Sequence, residues 1–329
     1  MIPRALAPGR AGILTASLAP AGTGPVRPCD TRPVKVALLG FGLIGGSIAY
    51  ALRRNPEDWT IAAWSPTGGG PAVARAEELI DEAADSPARA IQGADLIVIA
   101  APPLAALDLI DALAGPLIVE MAPDALVTDV VSTKSAIVAR AEAARLRFVG
   151  GHPMAGREVG GFDAARPELF SGRPWVIVPA STARHGDRER IEALATACGG
   201  VPVAMSAGDH DTAVAAISHL PLVVAAALVE SVAGGEGEAA RPDWTTAASL
   251  AATGWEGMTR LARGDVAMGA GIAATNAPAI AARLRDLQAV LDAWLVYLDG
   301  PTGPDAERIR ARFDEARNLL LASDAEAAE

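Results

Sequence analysis

The spacing of hydrophobic positions changes between the first and second halves of the chain. Residues 34–182 contain short apolar runs, typical of buried parallel strands, which alternate with helix-forming segments. The strands predicted from these runs are residues 34–39, 59–64, 94–100, 126–131 and 175–179. Because strands and helices alternate, the pattern predicts an α/β fold that begins with a doubly wound parallel sheet.

Beyond residue 187 nearly every segment has the hydrophobic spacing of a helix. The predicted helices are residues 187–198, 207–231, 242–263, 266–298 with a break near Pro278, and 305–322. We therefore expect an all-α helical domain over residues 183–322, after a sheet domain over residues 34–182. Residues 1–33 are rich in Pro, Gly, Ala and Arg and predict either a disordered leader or a mis-assigned start, in both cases outside the fold.

A glycine-rich turn follows the first predicted strand. Gly40, Gly42 and Gly45 have the G-x-G-x-x-G spacing, and Leu43 and Ile44 lie within it at the start of a predicted helix. The first glycine permits a tight turn, the second lets the backbone approach a pyrophosphate, and the third lets the helix pack closely on the sheet. This arrangement predicts a Rossmann-type dinucleotide site, the alternative being an ordinary strand-turn-helix corner.

The end of the second strand bears on which nicotinamide cofactor is used. NAD-binding sheets usually have an acidic residue there, about 20 residues after the glycines, and this chain has Ser65 followed by Thr67. Without a carboxylate to repel a 2′-phosphate, and with two hydroxyl donors, the site favours NADP slightly over NAD. Ala101 and Pro102 follow another predicted strand and are expected to line the cofactor site at the same edge of the sheet.

Composition excludes several classes of function. The net charge of −11 argues against a nucleic-acid partner, since phosphate binding needs a basic face. We also expect no membrane span, because the sequence shows no uncharged apolar run of about twenty residues. Cys29 and Cys198 lie far apart without metal-ligand neighbours, which predicts free thiols in a cytoplasmic protein and no metal site.

His152 is the first candidate for catalysis. It follows two glycines and precedes Pro153, so we expect it on a loop at the edge of the sheet where a nicotinamide would lie. Histidine titrates near neutral pH and can accept a hydroxyl proton while hydride leaves the same carbon. The alternative is a loop histidine that only hydrogen-bonds to the backbone.

Five short motifs occur in a fixed order and connect these features. They are Gly-Phe-Gly-Leu-Ile-Gly-Gly-Ser (40–47), Asp-Val-Val-Ser-Thr-Lys (129–134), Gly-Gly-His-Pro-Met-Ala-Gly-Arg-Glu (150–158), Leu-Phe-Ser-Gly-Arg-Pro-Trp (169–175) and Ser-His-Leu-Pro (218–221). Together they resemble the prephenate and arogenate (cyclohexadienyl) dehydrogenase family of tyrosine biosynthesis, over residues 34–298. The resemblance implies NAD(P)-dependent oxidative decarboxylation of arogenate or prephenate, giving tyrosine or 4-hydroxyphenylpyruvate.

The resemblance also implies roles for individual residues. His152 is expected to be the catalytic base, and Ser132 is expected to contact it and the nicotinamide edge. Arg260 suits the ring carboxylate because a guanidinium donates two parallel hydrogen bonds, although a solvated helix arginine is the alternative. Glu158 is expected to gate the cleft.

Ser218 and His219 are further expected substrate contacts, beside a helix kink at Pro221. The alternative for His219 is a histidine packed beside the kink. His210 lies nine residues before His219, nearly opposite on a straight helix, so we do not expect the two histidines to share a pocket.

Three positions depart from common patterns of the family and concern substrate choice: Leu222 in place of a histidine, Arg157 in place of a small hydroxyl residue, and Gly269 where an aromatic can be found. Losing the histidine removes a donor to the keto acid of prephenate and a possible repulsion of the ammonium of arogenate. We expect arogenate to be used at least as well as prephenate.

Two other functions remain as alternatives. A β-hydroxyacid or imine reductase of similar architecture would use a lysine of the helical domain, but residues 187–298 contain none. A non-catalytic NADP-sensing module would not need Ser132, His152 and Arg260 together. The alanine-rich, weakly charged faces of residues 207–233 and 267–289 predict a homodimer through the helical domain.

Overall fold

The computed structural model describes residues 32–54, 58–235, 241–301 and 303–328. Residues 1–31 of the predicted leader, including Cys29, lie outside the described part of the chain. Everything reported below belongs to one compact unit that begins at Arg32.

Within the described residues, eight strands form one sheet in the order β3-β2-β1-β4-β5-β6-β7-β8. They are β1 (Val34–Leu39), β2 (Trp59–Trp64), β3 (Glu82–Ala83), β4 (Leu96–Ile99), β5 (Leu126–Asp129), β6 (Phe148–Pro153), β7 (Pro174–Pro179) and β8 (Val201–Ala204). All neighbouring strands are parallel except β6 and β7. The predicted doubly wound, mostly parallel sheet is therefore confirmed.

The antiparallel strand β7 has a simple cause. A parallel connection needs a long crossover, usually a helix. Between β6 and β7 the chain forms a single 3₁₀ turn at Phe162–Ala164 and then returns alongside β6, with His152 opposite Val176. The expectation of an entirely parallel βαβα order is wrong at this one strand.

Six helices cover the two faces of the sheet. They are α1 (Leu43–Leu52), α2 (Gly69–Ala76), α3 (Pro87–Ile91), α4 (Pro103–Ala114), α5 (Ser135–Ala143) and α6 (Asp187–Ala197). Alternate strand residues face opposite cores, so Leu38 and Val98 pack with α1 and α6 whereas Leu39 and Ile97 pack with α3, α4 and α5. This double cover explains why the strands are almost wholly apolar.

The sheet extends further along the chain than the sequence pattern indicated. Helix α6 packs against β6 and β7, and β8 then pairs in parallel with β7. The predicted division at residue 182 thus falls inside this sheet unit, which ends at Ala204. Strand β8 was missed because it is short, mostly exposed and contains Pro202.

The remaining chain is helical, as predicted. Its helices are α7 (Ala207–Val214), α8 (Leu220–Ala233), α9 (Trp244–Ser249), α10 (Thr253–Thr259), α11 (Val266–Thr275), α12 (Ala277–Leu298) and α13 (Ala306–Ala328). Helices α7 and α8 are joined by a π-helical segment, Ala215–His219, and the predicted break near Pro278 falls at Asn276. The predicted helix over residues 242–263 is divided into α9, α10 and the 3₁₀ turn Arg260–Arg263.

The expectation that no apolar run reaches membrane-spanning length is wrong. The continuous helix Ala207–Ala233 is long and apolar enough to cross a membrane. It also carries Asp209, Asp211 and Glu230, and it contributes His210 and His219 to a polar cluster described below. Most of its apolar stretch is exposed in the single chain, so it needs a further covering surface.

Candidate active site

Of the three glycines in the cofactor turn, Gly42 is the one with open space beside it, where a dinucleotide can approach. A Cβ atom on Gly40 would lie 2.2 Å from the carbonyl oxygen of Ala100, and one on Gly45 would lie 2.3 Å from that of Gly40. At Gly42 the nearest atom is the nitrogen of Gly161, 3.9 Å away. The fold itself thus requires Gly40 and Gly45, whereas Gly42 leaves the open approach that a pyrophosphate needs.

Helix α1 begins directly at this turn, with Gly42 as its N-cap and Leu43 and Ile44 as its first residues. The free N–H groups and the positive dipole end of a helix favour a phosphate at such a position. Ala101 and Pro102 follow β4, and Ser65 and Thr67 follow β2. Because these strands run parallel to β1, all four residues lie at the same edge of the sheet as the glycines.

A buried ion pair organises the chain after β5. Asp129 and Lys134 are fully buried and paired with each other. Asp129 also accepts backbone N–H bonds from Val131 at 2.9 Å and Gly151 at 3.2 Å, which ties this loop to β6. Burial raises the pKa of Asp129 and lowers the pKa of Lys134, while each partner's charge acts in the opposite direction.

His152 lies in strand β6, where its ring is half-buried, and not on the loop that the sequence predicted. Pairing with β7 extends β6 through Pro153. Burial, followed by the nearby His210, Lys134 and His219, lowers the pKa of His152 well below 6.5. The ring is therefore neutral at physiological pH and can accept a proton.

A hydrogen-bonded chain leads away from His152. Its Nδ1 lies 2.8 Å from Nε2 of His210, and Nδ1 of His210 lies 2.8 Å from Oδ1 of Asp211. The Asp211 carboxylate also accepts the backbone N–H groups of Lys134 and Ser135, each at 2.8 Å. Burial would raise the pKa of Asp211, but the bonds from His210, Ser135 and Lys134 lower it to about 2.

His219 belongs to the same cluster, so the expectation that His210 and His219 lie apart is wrong. The amide nitrogen of Asn276 is 3.0 Å from Nδ1 of His219 and donates to the carbonyl of Asp211 at 2.8 Å. Burial lowers the pKa of His219 to about 4 although the Asp211 charge opposes this. The cause is the π segment Ala215–His219: a π turn holds more residues than an α turn, so nine residues no longer place the two rings on opposite faces.

The two predicted serines are placed less distinctively. Ser132 is half-buried after β5, and in the described part of the chain its hydroxyl forms no hydrogen bond with His152. Ser218 is exposed, although its neighbour His219 is buried. The roles of both serines remain predictions.

Arg260 and Glu158, two predicted substrate contacts, form an ion pair with each other. Arg260 begins the 3₁₀ turn after α10, and Glu158 lies in the connection between β6 and β7. About half of each side chain is exposed, 53% for Arg260 and 47% for Glu158. The guanidinium already binds a carboxylate in an accessible position.

Within the described residues, no group of three His, Cys, Asp or Glu side chains converges to hold a metal ion. Cys198 is a free, buried thiol whose pKa is raised by burial.

A dinucleotide-binding turn and a neutral imidazole lie at one edge of a doubly wound sheet. Oxidation of an alcohol needs both, because the dinucleotide accepts the hydride from the carbon and the imidazole accepts the proton from its hydroxyl group. The fold and site thus place the chain among the nicotinamide-dependent dehydrogenases. Comparison with known proteins narrows this class. Residues 48–203 match the family model described as prephenate dehydrogenase, nucleotide-binding domain, and residues 206–307 match prephenate dehydrogenase, dimerization domain.

Individual relatives agree with the two models. The prephenate dehydrogenase of Bacillus subtilis is 31% identical over 289 residues, 86% of this chain and 74% of that protein. The cyclohexadienyl dehydrogenase of Zymomonas mobilis is 30% identical, covering 87% of this chain and 95% of that protein. The chain belongs to the prephenate/arogenate (cyclohexadienyl) dehydrogenase family, NAD(P)-dependent oxidoreductases of tyrosine biosynthesis.

Solved structures share the fold. Synechocystis arogenate dehydrogenase superposes with a TM-score of 0.67 at 29% identity, covering 87% of this chain and all of that one (100%). Aquifex aeolicus prephenate dehydrogenase, in complex with hydroxyphenyl propionate and NAD+, gives a TM-score of 0.72 at 24% identity, covering 90% and 98% of the two chains. The junction between the two family models, at residues 203–206, coincides with the end of β8.

Proposed function

We propose that this enzyme oxidatively decarboxylates arogenate, and prephenate no better than arogenate, with His152 as the general base. The observation that supports this most directly is the order of strands. Gly40, Ala101, Ser132 and His152 lie at or just beyond the ends of β1, β4, β5 and β6, four neighbouring parallel strands. Carboxyl ends of parallel strands share one edge, so the cofactor turn and the base lie at the same edge of the sheet.

The proposed reaction has three parts: removal of a proton, transfer of a hydride and loss of CO2. His152 takes the proton of the substrate hydroxyl as that carbon becomes a carbonyl. Bound NAD(P)+ would accept the hydride that leaves the same carbon. Loss of the ring carboxylate as CO2 then makes the ring aromatic, and the residues of the site hold this carboxylate in place until it leaves. Ser132 is proposed to contact His152 and to orient it.

Arg260 is the proposed holder of the ring carboxylate. Its ion pair with Glu158 supports this, since the guanidinium already presents its donors to a carboxylate. Glu158 would then compete with the substrate and gate entry to the cleft. His219 contributes a buried neutral imidazole beside His210, and Ser218 is proposed as a weaker, peripheral contact.

A slight preference for NADP over NAD is proposed from the turn after β2. Ser65 and Thr67 precede α2, whose N-cap is Gly68. Hydroxyl donors and the positive end of α2 would both favour a 2′-phosphate, and no carboxylate stands between β2 and α2 to repel it. In the homologous Aquifex structure the bound cofactor is NAD+, so the preference has to be measured.

The substrate preference is supported by the packing of Leu222. This side chain is partly buried against the helical core of Ala215, Ile272 and Ile280. A Cβ on Gly269 would lie 3.9 Å from its Cδ2, so two of the three positions that depart from the family pattern are neighbours. An apolar surface replaces a hydrogen-bond donor there, which removes an advantage of prephenate.

We further propose a homodimer through the helical region, in a cytoplasmic enzyme. The region matches the family's dimerization domain, and it exposes large apolar side chains along α12, among them Leu291 and Leu295. A second copy of the chain would cover these and the apolar helix Ala207–Ala233. The free thiol of Cys198 agrees with a reducing compartment.

One steady-state experiment tests the catalytic proposal. The purified protein is assayed with arogenate and prephenate, each with NAD+ and NADP+, alongside His152→Asn and the exposed control His185→Asn. We expect His152→Asn to bind cofactor normally and to lose roughly 10²- to 10⁴-fold in kcat. Near-normal turnover of His152→Asn would reject the base, and a tenfold or greater preference for prephenate would reject the substrate assignment.

A further inference from the structure

His210 and Asp211 have no role in the function proposed above, yet His210 forms the only hydrogen bond that the described residues give to the ring of His152, and Asp211 is in turn hydrogen-bonded to His210. We propose that His210 and Asp211 are a positioning relay, which fixes the tautomer of the base and stabilises the charge it acquires. The inference rests on the proposed role of His152.

The tautomers follow from the end of the chain of hydrogen bonds. Oδ1 of Asp211 accepts from the Lys134 backbone, and Oδ2 accepts from the Ser135 backbone. A carboxylate held by two such donors is ionised and can only accept. Nδ1 of His210 must therefore carry a proton and donate it to Asp211.

The same reasoning extends to the base. With its proton on Nδ1, neutral His210 has a lone pair on Nε2, and this nitrogen is 2.8 Å from Nδ1 of His152. His152 must therefore donate from Nδ1, which leaves the lone pair on its own Nε2. Among the described residues Nε2 of His152 has no hydrogen-bond partner, so it is free to accept a substrate proton.

The relay also affects the charged form of His152. When Nε2 takes the hydroxyl proton, the ring becomes an imidazolium, and its Nδ1 proton is shared with Nε2 of His210. The Nδ1 proton of His210 stays hydrogen-bonded to Asp211, so the positive charge spreads over two rings and faces a carboxylate. No proton is lost to solvent, and Nδ1 of His152 recovers its proton when Nε2 releases the abstracted one.

Burial makes this assistance necessary. His210 is 1% exposed and Asp211 4% exposed. The other charged or titratable groups around His152 are Lys134, which is paired with Asp129, and His219, and both oppose a positive charge on the base. Of the groups that act on His152, Asp211 is the one that favours its protonation.

The test compares His210→Leu, which removes the relay, with His210→Gln, whose side-chain oxygen can still accept from Nδ1 of His152. His185→Leu makes the same change at an exposed histidine outside the cluster. We expect His210→Leu to lower kcat roughly 10²-fold and His210→Gln to lower it less, with cofactor KM within about twofold of the native value. The acid limb of kcat should move to lower pH in His210→Leu, because a neutral His210 accepts from Nδ1 and supports the imidazolium, whereas only a charged His210 opposes it.

Ring ¹⁵N NMR reads the tautomer directly, because the chain has only four histidines. The native spectrum should show His152 protonated on Nδ1, and His210→Leu should shift it toward the Nε2 tautomer. A native His152 protonated on Nε2 overturns the relay even if the variants do not fold. An unchanged acid limb and tautomer in folded His210→Leu also overturns it, whereas an active His152→Asn overturns the proposed base itself.

Discussion

The guanidinium of Arg260 and the carboxylate of Glu158 are paired across two distant parts of the chain, the turn after α10 and the connection after β6. Both side chains are about half exposed, so the pair is worth no more than about 1 kcal/mol. A substrate carboxylate can therefore displace Glu158 at little cost.

Removing Arg260 should raise the substrate KM, whereas removing Glu158 should lower it. Arg260→Gln loses charge-assisted hydrogen bonds worth about 1.5–3 kcal/mol, which corresponds to a KM roughly 10- to 100-fold higher. Glu158→Gln removes the competitor and should lower KM, by at most about fivefold. Arg263→Gln, in the same 3₁₀ turn, is the control, and an equal KM in the two arginine variants contradicts the assignment.

The glycines of the cofactor turn should separate binding from folding. Gly42→Ala has open space and a negative φ of −101°, so it should fold normally and bind NAD(P)+ at least tenfold more weakly. Gly45→Ala places a Cβ 2.3 Å from the carbonyl oxygen of Gly40 and should lower the Tm. Thermal unfolding and cofactor titration check both variants, and unchanged affinity in Gly42→Ala would rule out the site.

Cofactor preference should respond to a charge at Ser65. Ser65→Asp places a carboxylate that repels a 2′-phosphate and accepts from a 2′-hydroxyl, so the ratio of kcat/KM for NADP+ to that for NAD+ should fall about tenfold or more. Ser65→Ala removes only the hydroxyl and should change the ratio less. Use of NAD+ alone by the native enzyme contradicts the proposed preference.

Stability should fall on mild acidification because of His219. Its pKa is lowered to about 4 from 6.5, so between these pH values the unfolded chain binds a proton that the folded chain does not. Stability is therefore full above pH 6.5 and decreases as pH falls through this window, by on the order of 1–2 kcal/mol at pH 5. Urea unfolding at pH 7 and pH 5 should show a smaller difference for His219→Gln than for the native chain or His185→Gln.

The dimer should depend on the exposed face of α12. Leu291 and Leu295 lie one turn apart and are 53% and 60% exposed in the single chain. Replacing both by glutamate should give a monomer in light scattering at micromolar concentration, because two charges per chain would be buried at the interface. Val119→Glu, at a residue that is 81% exposed but lies in the sheet unit, should leave the mass unchanged. A native monomer would disprove the proposal.

The sheet could be predicted because its strands are short and apolar and are separated along the chain by helix-forming segments. The glycine turn and β2 were located to the residue, with Trp59–Trp64 matching the predicted strand. Strand β8 was not found, since Val201–Ala204 is mostly exposed and contains a proline. Likewise, His152 was expected on a loop because Gly-Gly-His-Pro resembles a turn, whereas pairing with β7 makes it a strand.

His210 and Asp211 could not be identified from the sequence for a different reason. An α-helical count sets His210 opposite His219, and only five residues of π-helix alter that angle. Asp211 interacts with backbone N–H groups of Lys134 and Ser135, 77 and 76 residues away, which no side-chain pattern reveals. The sequence did contain one signal for Asp211, the motif Gly-Asp-His-Asp at residues 208–211 near the start of a predicted helix. Carboxylates at such positions often accept hydrogen bonds from free backbone N–H groups.

The bonds from Asp211 to the first turn of α5 have an evolutionary consequence. Asp211 is anchored by main-chain atoms, which every residue except proline supplies, so these two bonds do not depend on the side chains of residues 134 and 135. Residue 211 itself has no such latitude, because no other side chain offers two acceptors at that reach. Here the helical part of the chain contributes side chains and the sheet part contributes main-chain atoms, so a chimera that joins halves from two relatives should keep an oriented base when it retains both His210 and Asp211.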